Sequence, residues 1–286
     1  MTKNRIRKKK NPWVFLAPLL IFAVGAGIFI YPAASNFLAE RNQQHIIHTY
    51  QKTVEETSRD VLDNAWAEAI TYNENLAGDP VHDPFVMGSG YVLPENYEEV
   101  LNIDGDGVMG YIEIPKIGVL LPIYHGTDED VLAKGAGHLD VTALPIGGEG
   151  LHSVISAHRG LPSAQLFTRL DELEIGDVFY VHVLDAVLAY EVDQTEVILP
   201  EELGLLEPED GRDLMTLLTC TPYAVNTHRL LVRGERVPYE ETVAENINES
   251  RTVDADRSWR KEYFYSAIAG AMFLSVCIVV LKRRKK

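Results

Sequence analysis

Two uncharged apolar runs bound what this chain can become. Pro12 to Tyr31 (20 residues) and Tyr263 to Leu281 (19 residues) are rich in Leu, Ile, Phe, Val and Ala. As helices rising about 1.5 Å per residue, each reaches across a hydrocarbon layer of roughly 30 Å. A buried core helix fits poorly, because both runs abut dense basic clusters and lack a polar face. Lys3, Arg5, Arg7, Lys8, Lys9 and Lys10 precede the first run; Lys282, Arg283, Arg284, Lys285 and Lys286 follow the second. Positive charge stays on the cytoplasmic side of a membrane, so both termini are expected there, with residues 33–262 outside. The start of the chain also resembles a secretory signal, with Pro32-Ala33-Ala34-Ser35 as its small-residue cleavage site. The apolar run exceeds a typical signal core, which favours retention, and the outward placement of the middle holds either way.

The two tails hold eleven of the 26 Lys and Arg residues, leaving fifteen against all 42 Asp and Glu, a charge of −27 for the middle. So acidic a domain repels a polyphosphate backbone, which excludes nucleic acid as a partner. Hydrophobic residues at 46% and aromatic residues at 9% are enough for a packed core. A wholly disordered, collagenous or disulfide-stapled chain is excluded. Of the two cysteines, Cys277 falls inside the second run, so Cys220 is the one thiol expected outside. A lone thiol in an oxidising exterior is a liability unless its chemistry is used.

The divisions follow from these patterns. Residues 1–11 are a basic tail and 12–32 a transmembrane helix. Apolar residues at three-to-four spacing over 36–75, without Pro or Gly, predict a helical segment within 33–77. Residues 78–96 carry three prolines and three glycines and read as a loop lying across something. Within 97–240, short β-branched and aromatic runs predict strands at 110–114, 119–123, 153–157, 178–183, 188–192, 195–199, 214–220 and 228–233, with a short helix over 165–173. A mainly β domain follows, a sandwich or a closed barrel. Residues 241–262 are a polar, acidic linker, 263–281 the second transmembrane helix and 282–286 a basic tail.

The chemistry gathers around Thr216-Leu217-Leu218-Thr219-Cys220 and Thr227-His228-Arg229. If the two runs pair as a hairpin across Pro222 to Asn226, Cys220 lies opposite Arg229. A permanent cation beside a thiol favours the thiolate, and its donors suit an oxyanion. Acyl transfer by cysteine also needs an acid/base, usually histidine. His158 ends an apolar run and opens a turn, which suits projection into a site. His125, His138 and His152 remain rivals, while His45, His48, His82 and His228 are less well placed.

Thr216 to Cys220 resembles the TLxTC signature of the sortases, cysteine transpeptidases of Gram-positive surfaces. Thr221-Pro222-Tyr223, Asn226 to Gly234, and Ala157-His158-Arg159-Gly160-Leu161-Pro162-Ser163-Ala164 resemble the pilin-polymerising class C. The likeness covers about residues 75–240; Ala224 stands where many members have Gly. It implies a sortase-like closed β-barrel of about eight strands with short helices. It makes Cys220 the nucleophile, His158 the general acid/base and Arg229 the substrate and oxyanion stabiliser, with Thr219 in support. Asp83-Pro84-Phe85 resembles the class C lid, in which the acid meets the catalytic Arg and the aromatic covers the Cys. On residues alone it is an ordinary turn with an anchored aromatic.

The resemblance implies cleavage of an LPxTG-like signal between Thr and Gly on a secreted pilin. Transfer of the acyl group to a lysine amine of the next pilin follows, so the partners are pilin subunits and the membrane. Rival readings are a housekeeping-type sortase using cell-wall peptide, a secreted hydrolytic cysteine protease, and a non-catalytic adhesin with Cys220 in its core. No cofactor is expected. Asp104-Gly105-Asp106-Gly107 begins like a calcium loop, but Pro115 stands where the twelfth-position acid belongs, and the histidines lack zinc spacing, so no metal is expected either.

Overall fold

The computed structural model describes residues 13–76, 85 and 96–239, setting aside the side chains of residues 13–19, 21, 23 and 29. The expected helical segment over 36–75 is two helices, α1 (Trp13–Glu56) and α2 (Arg59–Asn75). Between them Ser58 adopts an extended backbone (φ −67°, ψ 148°), and its carbonyl accepts from Val61 and Leu62 at 3.0 and 3.2 Å, restarting the helix. Ile47, Tyr50 and Val54 recur at helical spacing and bury one stripe of α1. Tyr50 fixes it: its hydroxyl donates to the Met109 carbonyl at 3.0 Å and accepts the Leu184 amide at 2.8 Å. Among the described residues no helix is long and apolar enough to cross a membrane. The first expected span falls on the start of α1; the second, 263–281, lies outside the described residues.

Eight strands follow: β1 (Val108–Ile114), β2 (Val119–His125), β3 (Ala136–His138), β4 (Leu151–Ser156), β5 (Val178–Val183), β6 (Ala186–Ile198), β7 (Asp213–Thr221) and β8 (His228–Val237). They close into a barrel in the order β1-β2-β3-β4-β7-β8-β6-β5, so the architecture is the barrel rather than the sandwich. Sequence and structure both count eight strands, but by different routes. The runs at 188–192 and 195–199 are one strand, β6, bulged at Asp193. That residue leaves the ladder to set its carboxylate against Arg212 and Arg233, at 2.6 and 2.7 Å. The strand the sequence hid is β3, three residues without a β-branched run. A Cβ on Gly137 would sit 2.2 Å from the Gly126 carbonyl oxygen, so only glycine lets β3 approach so closely. The helix expected over 165–173 is reduced to a 3-10 turn, Leu170–Glu172.

The three rival histidines, His125, His138 and His152, are fixed in the core. His125 on β2 faces the carbonyls of Gly107 and Val100 at 3.1 and 2.8 Å. His152 on β4 meets the Thr216 hydroxyl at 2.8 Å and the Glu207 carbonyl at 3.0 Å. His138 on β3 donates from Nε2 to the Ala143 carbonyl at 2.9 Å and accepts the Tyr97 hydroxyl at Nδ1, also 2.9 Å. Burial pushes His138 down to about 4, so the folded barrel refuses a proton that the unfolded chain accepts. This contribution to stability is complete above the unfolded pKa near 6.5 and is lost as pH falls toward about 4. Between about pH 7 and about pH 4.5 the wild type is expected to lose about 2 kcal/mol more unfolding free energy than His138→Gln. Urea titrations at both pH values measure it, and equal losses refute it.

Candidate active site

Three strands adjacent in the barrel, β4, β7 and β8, converge on one rim. β7 and β8 are antiparallel, and Cys220 and Arg229 are direct register partners, as the hairpin geometry requires. The turn between them places Ala224 (φ 62°) and Asn226 (φ 60°) in the left-handed region, which explains why glycine suits position 224. Cys220 and Arg229 are only 6% and 5% exposed. Arg229 Nη1 reaches the carbonyls of His228 and Asn226 at 3.1 and 3.3 Å, aligning the guanidinium with the rim.

His158 arrives by a different route. β4 runs parallel to β7, with Ser156 opposite Leu218. Beyond the strand the two chains stay joined: the Ala157 amide donates to the Leu218 carbonyl at 3.2 Å, and the Thr219 hydroxyl donates to the Ala157 carbonyl at 2.7 Å. His158 therefore leaves β4 beside the stretch of β7 that carries Cys220. Thr219 is fully buried and its hydroxyl is committed to this tie, so it positions the chain before His158. His152 instead pairs with Leu214, six residues back along β7 or about 20 Å.

Phe85 lies against this rim. Its ring centroid is 5.6 Å from that of His158, and Arg229 Cζ lies 5.1 Å from the same centroid. Asp83 and Pro84 lie outside the described residues. Burial lowers the His158 pKa, with Glu129 acting the other way, which favours the neutral imidazole.

Sequence reasoning missed the supports. The Phe167 amide donates to the His158 carbonyl at 3.1 Å, the Gly160 amide to the Thr168 hydroxyl at 3.2 Å, and Arg159 bridges Thr221 and Asp171 at 3.0 and 2.5 Å. It also missed a compact apolar cluster on the Cys220 side, in which Leu218, Leu231, Ile198, Val154 and Leu206 pack with Phe85. Leu218 and Leu231 are two residues from Cys220 and Arg229, so strand alternation puts them on the same face. A carbonyl held here would meet a thiol, an imidazole and a guanidinium beside an apolar strip, an arrangement suited to acyl transfer to and from sulfur.

Residues 112–237 match the family model of the Sortase domain. Among solved structures the chain is similar to Streptococcus pneumoniae Sortase C, at 45% identity and a TM-score of 0.63, covering 68% of this chain and 97% of that one. It is similar also to sortase C-1 from Actinomyces oris, at 49% identity and a TM-score of 0.59, covering 62% and 99%. Sortase D of Bacillus subtilis is 32% identical over 131 residues, which is 45% of this chain and 63% of that protein, just under two thirds of its length. Sortase A of Streptococcus agalactiae is 26% identical over 230 residues, 78% of this chain and 83% of that protein. The Streptococcus pneumoniae structure was described for its bearing on catalysis and pilin substrate specificity.

Proposed function

The chain belongs to the sortase family of cysteine transpeptidases, and from that membership we propose that it is a membrane-anchored, lid-gated enzyme joining secreted pilins to one another. The observation that carries the reading is Cys220 in register with Arg229, with His158 rising beside them under Phe85. Likeness to sortase C structures at 41–49% identity, one of them a pilus-related sortase of Group B Streptococcus, favours pilin as substrate.

In this mechanism Phe85 holds the site in its resting form, a neutral imidazole beside the buried thiol, with Asp83 pairing to Arg229. Displacement of the lid by the sorting signal rehydrates the pair, and the proton passes from Cys220 to His158. Thiolate Sγ attacks the Thr–Gly carbonyl of an LPxTG-like signal while Arg229 stabilises the oxyanion. The C–N bond breaks, the His158 imidazolium protonates the departing amine, and a thioacyl-enzyme remains. A pilin lysine then gives its proton to His158 as its nitrogen attacks, and the C–S bond breaks to leave an isopeptide bond. The thioester keeps much of the acyl energy, and an amine is a better nucleophile than water.

The anchoring rests on the uncharged run Pro12–Tyr31 behind its basic cluster, and on a helical backbone that exposes Leu20, Val24, Ile28 and Ile30. Tyr263–Leu281 with its basic tail would supply the second span, placing both termini in the cytoplasm and the catalytic barrel outside. Incubating the full chain in detergent with a pilin carrying the signal tests the activity. Mass spectrometry of the product is expected to find a lysine-linked dimer. A free C-terminal acid alone would make the protein a hydrolase, and preference for a cell-wall peptide amine over pilin lysine would make it a housekeeping enzyme.

A further inference from the structure

Helix α1 leaves the barrel beside the active-site rim. The Gln165 amide donates to the Asn36 side-chain carbonyl at 2.7 Å, and the Ser35 hydroxyl reaches the Pro162 carbonyl at 3.0 Å. Residues 162–165 belong to the turn that directly follows His158. The other anchors of α1, Gln43 to the Lys134 carbonyl and Tyr50 to Met109 and Leu184, lie farther along toward its C-terminus. The rim is thus the part of the barrel nearest the apolar N-terminal half of α1. Five residues, about 8 Å of helix, separate Asn36 from Tyr31.

The same rim carries an exposed apolar tip. Gly160, at φ +81°, lies under the Tyr223 ring, whose atoms are 3.2 to 3.4 Å from where a Cβ would stand, so the β7–β8 connection folds onto the turn after His158. At that connection Tyr223 is 55% exposed and Val225 64%. On α1 itself Phe37 is exposed, with the Arg41 guanidinium 5.4 Å over its ring. An aromatic with a polar edge, an aliphatic residue and a cation suit the boundary between headgroups and acyl chains.

We propose that Tyr223 and Val225 rest on the outer surface of the lipid bilayer, holding the mouth of the Cys220 site against the membrane. The occupant of the tip is lipid, by continuity with the apolar surface that α1 exposes about two turns away. This rests on the membrane-anchored reading above, and the test separates the two. The full chain, carrying Cys220→Ala and Cys277→Ser so that only an introduced thiol reacts, is reconstituted in vesicles of phosphatidylcholine and phosphatidylglycerol. Bimane is attached at Val225→Cys or, for comparison, at Glu149→Cys, which is exposed in the turn before β4 at the opposite end of that strand. With a nitroxide on the lipid headgroup, quenching at position 225 is expected to exceed that at 149 several-fold, with Tyr223→Cys behaving like 225. Equal quenching in protein that floats with the vesicles overturns the lipid contact and leaves the anchor standing. Protein that does not float overturns the anchor and the contact together.

Discussion

Cys220→Ala is expected to keep a folded barrel and to form neither a thioacyl intermediate nor a lysine-linked product. The nucleophile has no substitute among the described residues, because Cys220 is the one cysteine there and its β8 partner Arg229 offers only donors. Loss of the nucleophile from a nucleophile–base enzyme costs on the order of a million-fold in turnover, which takes this reaction to background. The side chain is small and its neighbours Leu218 and Leu231 remain packed, so the variant should melt close to the wild type. Hydroxylamine trapping in vitro and pilus ladders in a strain lacking other sortases read the result. A residual ladder there removes Cys220 from the chemistry.

Phe85→Ala should speed alkylation of Cys220 about ten-fold. The ring lies against both His158 and Arg229, and a desolvated contact of this kind is worth about 1–2 kcal/mol. On the proposed lid mechanism, removing it shifts the covered state toward the open one and lets water reach the imidazole. The His158 pKa then rises from its lowered position, and the thiolate becomes more populated at neutral pH. On the same mechanism, in which Asp83 pairs with Arg229, Asp83→Ala should act in the same direction. Iodoacetamide kinetics followed by intact mass measure both, and an unchanged rate in both variants sinks the gating role.

How much could be read beforehand depended on how local each contact is. Pairing Cys220 with Arg229 needs only alternation and a turn, so a separation of nine residues made it legible. His158 could not be separated from His125, His138 and His152 without the family likeness. The fact that separates it is the parallel pairing of β4 with β7, sixty-two residues apart at Ser156 and Leu218, and such a pairing leaves no local pattern. Strand β3 was hidden for a related reason: Ala136, Gly137 and His138 are held by neighbours and a close backbone approach rather than by their own propensity. Phe85 was legible only by resemblance, since its contacts are all tertiary.

Closing β4 onto β7 across those sixty-two residues costs about 4 kcal/mol of chain entropy before any contact repays it. A folding chain that has ordered only as far as β5 and β6 holds the imidazole and no thiol. Once β7 follows, the sulfur is present but still lacks its cation. Cys220, His158 and Arg229 come together only when β8 takes its place between β7 and β6, so the proposed chemistry waits on the last strand to join the barrel.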